Sequence, residues 1–181
     1  ARAEERRRRQ KPEPPPPRRG DGRPGEEERH PRPQHPRRAH PPVVVPAFVP
    51  DGLEQRAATA PRPTWLPDGD YILFVGALGP HKGLDVLVDA HARLRAVDPT
   101  GVPTLVCIGT PRDDTPVLPD HVVLRENVDH DEVLAAWRHA RVGVVPSVWQ
   151  EPLGLVAVEA MLAGTPVVAS AVGGLTDVVQ D

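Results

Sequence analysis

From Asp70 onward, short apolar runs alternate with amphipathic segments. YILFVG (71–76), TLVCIG (104–109), HVVL (121–124), VGVVPS (142–147) and PVVAS (166–170) are brief and rich in β-branched residues, and most stop at glycine or serine. That pattern predicts five strands. Between them, GLDVLVDAHARLRAV (83–97) sets Leu84, Leu87, Val88, His91 and Leu94 at helical spacing. DEVLAAWRHA (131–140) reads as a second helix, with Asp129 or Asp131 available to cap it. GLVAVEAMLAG (154–164) is a third, and GLTDVVQ (174–180) opens a fourth. Strands that are apolar at nearly every position, separated by helices, imply a parallel sheet covered on both faces, a doubly wound α/β domain. The 154–164 helix is apolar almost all the way round and is expected to be buried on every side.

Composition divides the chain. Residues 1–42 contain no Val, Ile, Leu, Met, Phe, Trp, Tyr or Cys, and they carry 13 Lys and Arg against 7 Asp and Glu. With nothing to bury, such a segment cannot offset its ordering entropy, so it is expected to be a disordered Pro/Arg-rich tail. It has no aromatic residue on which bases would stack, which argues against a nucleic-acid partner. Residues 43–69 form a Pro-punctuated linker, and residues 70–181 form the folded domain. No apolar run approaches the roughly 20 residues needed to span a bilayer, and the Arg-rich start lacks the apolar stretch of a secretory signal. A single cysteine, Cys107, excludes an intrachain disulfide and is expected to be a small core residue in a cytoplasmic protein.

In a parallel α/β sheet, ligands bind beyond the carboxyl ends of the strands. The loops 77–83, 125–130 and 147–154 are therefore the places for chemistry. No G-x-G-x-x-G follows the first strand, and no G-x-x-x-x-G-K-[ST] occurs, so the nicotinamide and P-loop readings lose their main support. Glu159 is the only charge on the 154–164 helix, and a carboxylate there needs donors, either from a structural ion pair or from a ligand such as a sugar diol. Glu151 precedes that helix, where it would act as a capping carboxylate or face a ligand at the positive helix end. Gly154 would let a ligand approach that backbone closely. Lys82 lies in the loop after the first strand, either solvated or facing an anion. The triplets Asp68-Gly69-Asp70 and Asp129-His130-Asp131 read as a turn and a helix start rather than as metal sites.

The segment PSVWQEPLGLVAVEAMLAGTPVVAS (146–170), with seven residues between its two glutamates and a following GG, resembles the donor-binding half of the retaining glycosyl transferase group 1 family. YILFVGALGPHKGLDVLVDA (71–90) resembles the opening strand, lysine loop and helix of that domain, and VVVPAFVPDGL (43–53) resembles the linker that enters it. The resemblance implies a GT-B architecture in which this Rossmann-like C-terminal half holds a nucleoside-diphosphate sugar, and an N-terminal half, absent here, holds the acceptor. By position it implies that Glu159 meets the nucleotide ribose, Glu151 the donor sugar, and the amides of Leu155 and Val156 the sugar or phosphate. Lys82 would contact the diphosphate and Val128 would lie beside the base. Glu151 and Lys82 would be the catalytic pair. No metal and no cofactor is expected, because a lysine and a helix dipole already stabilise a leaving diphosphate. Two positions depart from the pattern: Ala77 stands where many members have an arginine, and Asn127 where many have glycine.

The expectation is a glycosyltransferase lineage, retaining in stereochemistry, with an unidentified acceptor and little turnover from this chain alone. The alternative is a noncatalytic nucleotide-binding or interaction module derived from the same fold. Other GT-B enzymes, such as sugar-nucleotide epimerases and phosphorylases, share the architecture but not this string of motifs.

Overall fold

The computed structural model describes residues 48–180, and the expected tail at 1–42 lies outside them. Five strands, β1 (Tyr71–Val75), β2 (Thr104–Ile108), β3 (Val122–Arg125), β4 (Val142–Val145) and β5 (Val167–Ala169), form one parallel sheet in the order β3-β2-β1-β4-β5. The helices are α1 (Leu53–Thr59), α2 (Leu84–Val97), α3 (His130–His139), α4 (Leu155–Leu162) and α5 (Leu175–Val178), with a 3₁₀ turn at Pro80–Lys82. The doubly wound sheet read from the sequence is the observed one. Chain direction across the sheet reverses between β1 and β4, the neighbours that carry the next crossover in opposite senses. That switch leaves a crevice at their carboxyl ends.

Successive strand residues point to opposite faces, and the two cores follow that period. Tyr71, Leu73, Val106 and Ile108 pack under α1, α3 and α4 with Leu134, Trp137 and Ala160. Phe74, Leu105 and Cys107 pack under α2 with Leu84 and Leu87. Each leucine buried in this way contributes roughly 1.5–3 kcal/mol. Trp137 fits because β4 carries Gly143 beneath it; a Cβ there would lie 2.7 Å from the indole ring. The Tyr71 hydroxyl, deep in the same core, donates to the carbonyl of Ala136 at 2.6 Å, and burial raises its pKa.

Two expectations need correction. The segment assigned to a linker contributes α1, whose Leu53 and Ala57 are buried in the core with Leu66. Its apolar positions are too few to show a period, and tertiary contact with α3 and α4 recruits them. Burial of the 154–164 helix on every side is overturned: only Ala157 and Ala160 within α4 are fully buried, while Leu155 and Met161 are exposed. One side of α4 packs on the sheet, and small alanines set that close approach. Helices cover both faces as expected, and the edge strand β5 keeps one side chain outside that cover, Val168 at 61% exposed. Leu94 likewise ends outside the core, whereas His91 of the same stripe is buried and bonds through Nε2 to the carbonyl of Pro103 at 2.9 Å.

Candidate functional site

The loop after β1 and the loop after β4 meet at the switch point. Gly83 makes this possible: it has φ of 70°, and a Cβ on it would lie 1.9 Å from the carbonyl oxygen of Pro146. The Val148 amide donates to the His81 carbonyl at 3.1 Å and pins the two loops together. Lys82 is thereby carried to Glu151, and the two side chains form an ion pair that is 24% and 8% exposed, respectively. The same Glu151 oxygen, Oε1, accepts from Ser147 Oγ at 2.8 Å and from Trp149 Nε1 at 2.9 Å. The Lys82 ammonium also lies 4.9 Å from the centre of the Trp149 ring.

Burial of Glu151 pushes its carboxyl pKa up, and the bonds from Lys82, Trp149 and Ser147 outweigh that, so the net displacement is downward. The carboxylate is a fixed, desolvated negative charge with its cation beside it. It does not cap α4, which has Gly154 at its N-cap and no side-chain cap. The capping alternative for Glu151 is therefore discarded. Its backbone is held by the GG that follows β5, through a bond from the Gly174 amide to the Glu151 carbonyl at 2.7 Å.

Lys82, Glu151, Gly154, Leu155 and Val156 line one cavity of about 400 Å³, floored by the end of β1 at Val75–Ala77. The amides of Leu155 and Val156 belong to the uncapped first turn of α4, where backbone donors lack helical partners. The cavity therefore joins an ammonium, a helix N-terminus and a carboxylate, a set suited to an anion with hydroxyl groups attached. Gly154 is required by the fold itself: it has φ of 80°, and a Cβ on it would lie 2.3 Å from Leu175.

Val128 lines a second cavity, of about 590 Å³, on the other side of Val75–Ala77. Asn127 beside it has φ of 53°, the left-handed conformation that glycine and asparagine tolerate best. Glu159 lines neither cavity. It lies one turn along α4 from Leu155 and Val156, and its Oε1 is 3.2 Å from His130 Nε2. His130 opens α3 two residues after Val128, so this contact joins α4 to the start of α3. Asp129 is the N-cap of α3 but makes no side-chain cap, and Asp131 pairs with Arg56 at 2.6 Å. Asp70 pairs with Arg141 at 2.5 Å, away from both cavities.

Sequence reasoning missed Ser147, Trp149 and His130. Ser147 and Trp149 lie within four residues of Glu151, and their side-chain types alone marked them as donors. His130 had no local signal, because its partner is 29 residues away.

The profile of the family "Glycosyl transferases group 1" matches residues 69–181, and the chain belongs to that family. Among curated relatives it is 41% identical over 126 residues to a D-inositol 3-phosphate glycosyltransferase of Jonesia denitrificans, covering 62% of this chain and 30% of that protein. It is also 41% identical over 117 residues to a glycogen synthase of Mycobacterium tuberculosis, covering 60% and 27%. Among solved structures, a sucrose-phosphate synthase of Thermosynechococcus elongatus matches with a TM-score of 0.53 and 35% identity, over 64% of this chain and 31% of that one. Anabaena HepE in complex with UDP matches with a TM-score of 0.54 and 26% identity, over 63% and 33%. The chain thus spans about 30% of the length of the relatives it matches. Among the described residues no helix is long and apolar enough to cross a membrane.

Proposed function

We propose that residues 48–180 form the donor-binding half of a retaining glycosyltransferase, which moves a sugar from a nucleoside diphosphate to an acceptor. The observation that carries this reading is the single cavity at the β1/β4 switch point where Lys82, Glu151 and the uncapped first turn of α4 converge. In this arrangement the diphosphate lies against the Lys82 ammonium and the Leu155 and Val156 amides, which stabilise the negative charge that develops on the leaving group. Glu151 faces the donor sugar, Val128 the base and Glu159 the ribose. The HepE–UDP complex supports a nucleotide in this fold. Because an ammonium and a helix N-terminus supply the positive field, binding is expected without a divalent metal. A reducing, cytoplasmic setting accords with the free buried thiol of Cys107.

The test is calorimetric titration of the chain with UDP, GDP and ADP, with and without Mg²⁺, alongside Lys82→Ala and Glu159→Gln. Saturable binding that persists in EDTA and weakens at least tenfold in both variants is expected. Unaltered affinity in Lys82→Ala would remove the diphosphate assignment. No binding by the folded wild-type chain would leave the noncatalytic reading.

A further inference from the structure

The second cavity is bounded by the ends of three adjacent strands: Val75–Ala77 after β1, Ile108–Thr110 after β2, and Asn127–Val128 after β3. Its lining is apolar or uncharged apart from one side chain, Arg112. Arg112 stands on a loop that is stitched to its neighbour. The Arg112 amide donates to Thr115 Oγ1 at 2.7 Å, and that hydroxyl donates to the Leu78 carbonyl at 2.5 Å. Leu78 and Pro111 form a parallel bridge, and Gly109 has no room for a Cβ, which would lie 2.0 Å from the Gly76 carbonyl oxygen. The guanidinium itself is 57% exposed, with Asp114 Oδ1 at 3.4 Å from Nε. That contact is long for a charge-assisted bond, so the planar donor edge is not tied up by its neighbour.

Resting on the reading above, a diphosphate at Lys82 and α4 places the rest of the nucleotide past Ala77, in this cavity. Val75, Ile108 and Val128 offer apolar contact for a flat ring. A guanidinium only donates hydrogen bonds. On the edge remote from the sugar, uracil and guanine present a keto oxygen, whereas adenine and cytosine present an amino group that itself donates. A keto base therefore gains a hydrogen bond from the guanidinium, whereas an amino base sets donor against donor there and gains none. We propose that Arg112 is a specificity-determining residue that selects a keto base, uracil or guanine, over an amino base in the nucleoside-diphosphate donor.

The test is titration of the full chain with UDP, GDP, ADP, CDP and inorganic pyrophosphate, in the wild type, Arg112→Ala and Arg112→Gln, with folding checked by circular dichroism. The wild type is expected to favour UDP or GDP over ADP and CDP by roughly tenfold or more, the scale of a specific hydrogen-bonded base contact. Arg112→Ala should shrink that preference to within about threefold and leave pyrophosphate affinity unchanged. Arg112→Gln, which both donates and accepts, should shift the preference toward ADP. Loss of UDP, ADP and pyrophosphate binding by the same factor in Arg112→Ala would make the residue a phosphate contact and overturn the proposal while leaving the donor-site reading intact. An ADP preference in the wild type, or a keto preference unchanged in both variants, would also overturn it. Failure of every nucleotide and of pyrophosphate to bind a folded wild-type chain would instead sink the donor-site reading, and this proposal with it.

Discussion

Trp149 donates its indole N–H to the carboxylate of Glu151 at 2.9 Å and places its ring beside the Lys82 ammonium that pairs with the same carboxylate. One side chain thus holds both members of the charged pair. A carboxyl whose pKa is lowered by folding contributes stability that is complete above the ordinary carboxylate range and is lost as the pH falls through the folded-state value. The urea midpoint of the wild type should therefore fall more steeply on acidification than that of Glu151→Gln. Trp149→Phe, which removes a donor and keeps a ring, should raise the Glu151 pKa and cost about 1 kcal/mol at neutral pH. Carbon NMR of the labelled glutamate side chain would report the pKa directly, and an unchanged value would deny Trp149 that part.

Two glycines with similar dihedrals separate backbone strain from contact. Gly83 and Gly164 have φ of 70° and 86°, but a Cβ on Gly83 meets the Pro146 carbonyl whereas one on Gly164 meets nothing within 4 Å. Gly164→Ala should cost about 1 kcal/mol from the left-handed conformation alone. Gly83→Ala should cost at least about 2 kcal/mol, since backbone must move, and should displace Lys82. Chemical denaturation of both variants would check the ordering.

Glu159 and His130 form a pair that is 22% and 43% exposed on its two side chains. Partners that water still reaches add little, so Glu159→Gln should change stability by no more than about 0.5 kcal/mol. Any larger fall in nucleotide affinity then reports a ligand contact rather than a damaged scaffold. Equal melting temperatures together with equal affinities would remove Glu159 from the donor site.

Cys107 lies in β2 at 0% exposure, and burial pushes its thiol up to about 12. The native chain should not react with a thiol-specific reagent at mildly alkaline pH, and labelling should follow the unfolding transition. Rapid labelling under native conditions would contradict the packing of β2 against α2.

The strands and the larger helices were legible because burial on a parallel sheet leaves a local signature, short runs of Val, Ile and Leu closed by glycine. Lys82, Glu151 and the start of α4 were legible as a chemical set because a resemblance linked motifs far apart in the chain. What the sequence concealed was long-range partnership. The burial of α1 depends on α3 and α4, which are supplied by residues more than 70 positions away. The exposed side of α4 could not be seen either, since an apolar residue is written the same way whether or not a neighbour covers it.

The sequence alone determined the alternation of strand and helix and the residue types that would carry charge to one edge of the sheet, because both follow from periodicity and side-chain chemistry. Only the tertiary structure decided which charges meet. It paired Lys82 with Glu151 and added Ser147 and Trp149 as donors to the same carboxylate, set Glu159 against His130, and brought Arg112 to the cavity wall beside Val128. Those outcomes depend on the order of strands in the sheet and on close backbone contacts at Gly83 and Gly109, and such contacts exist only once distant segments have packed together.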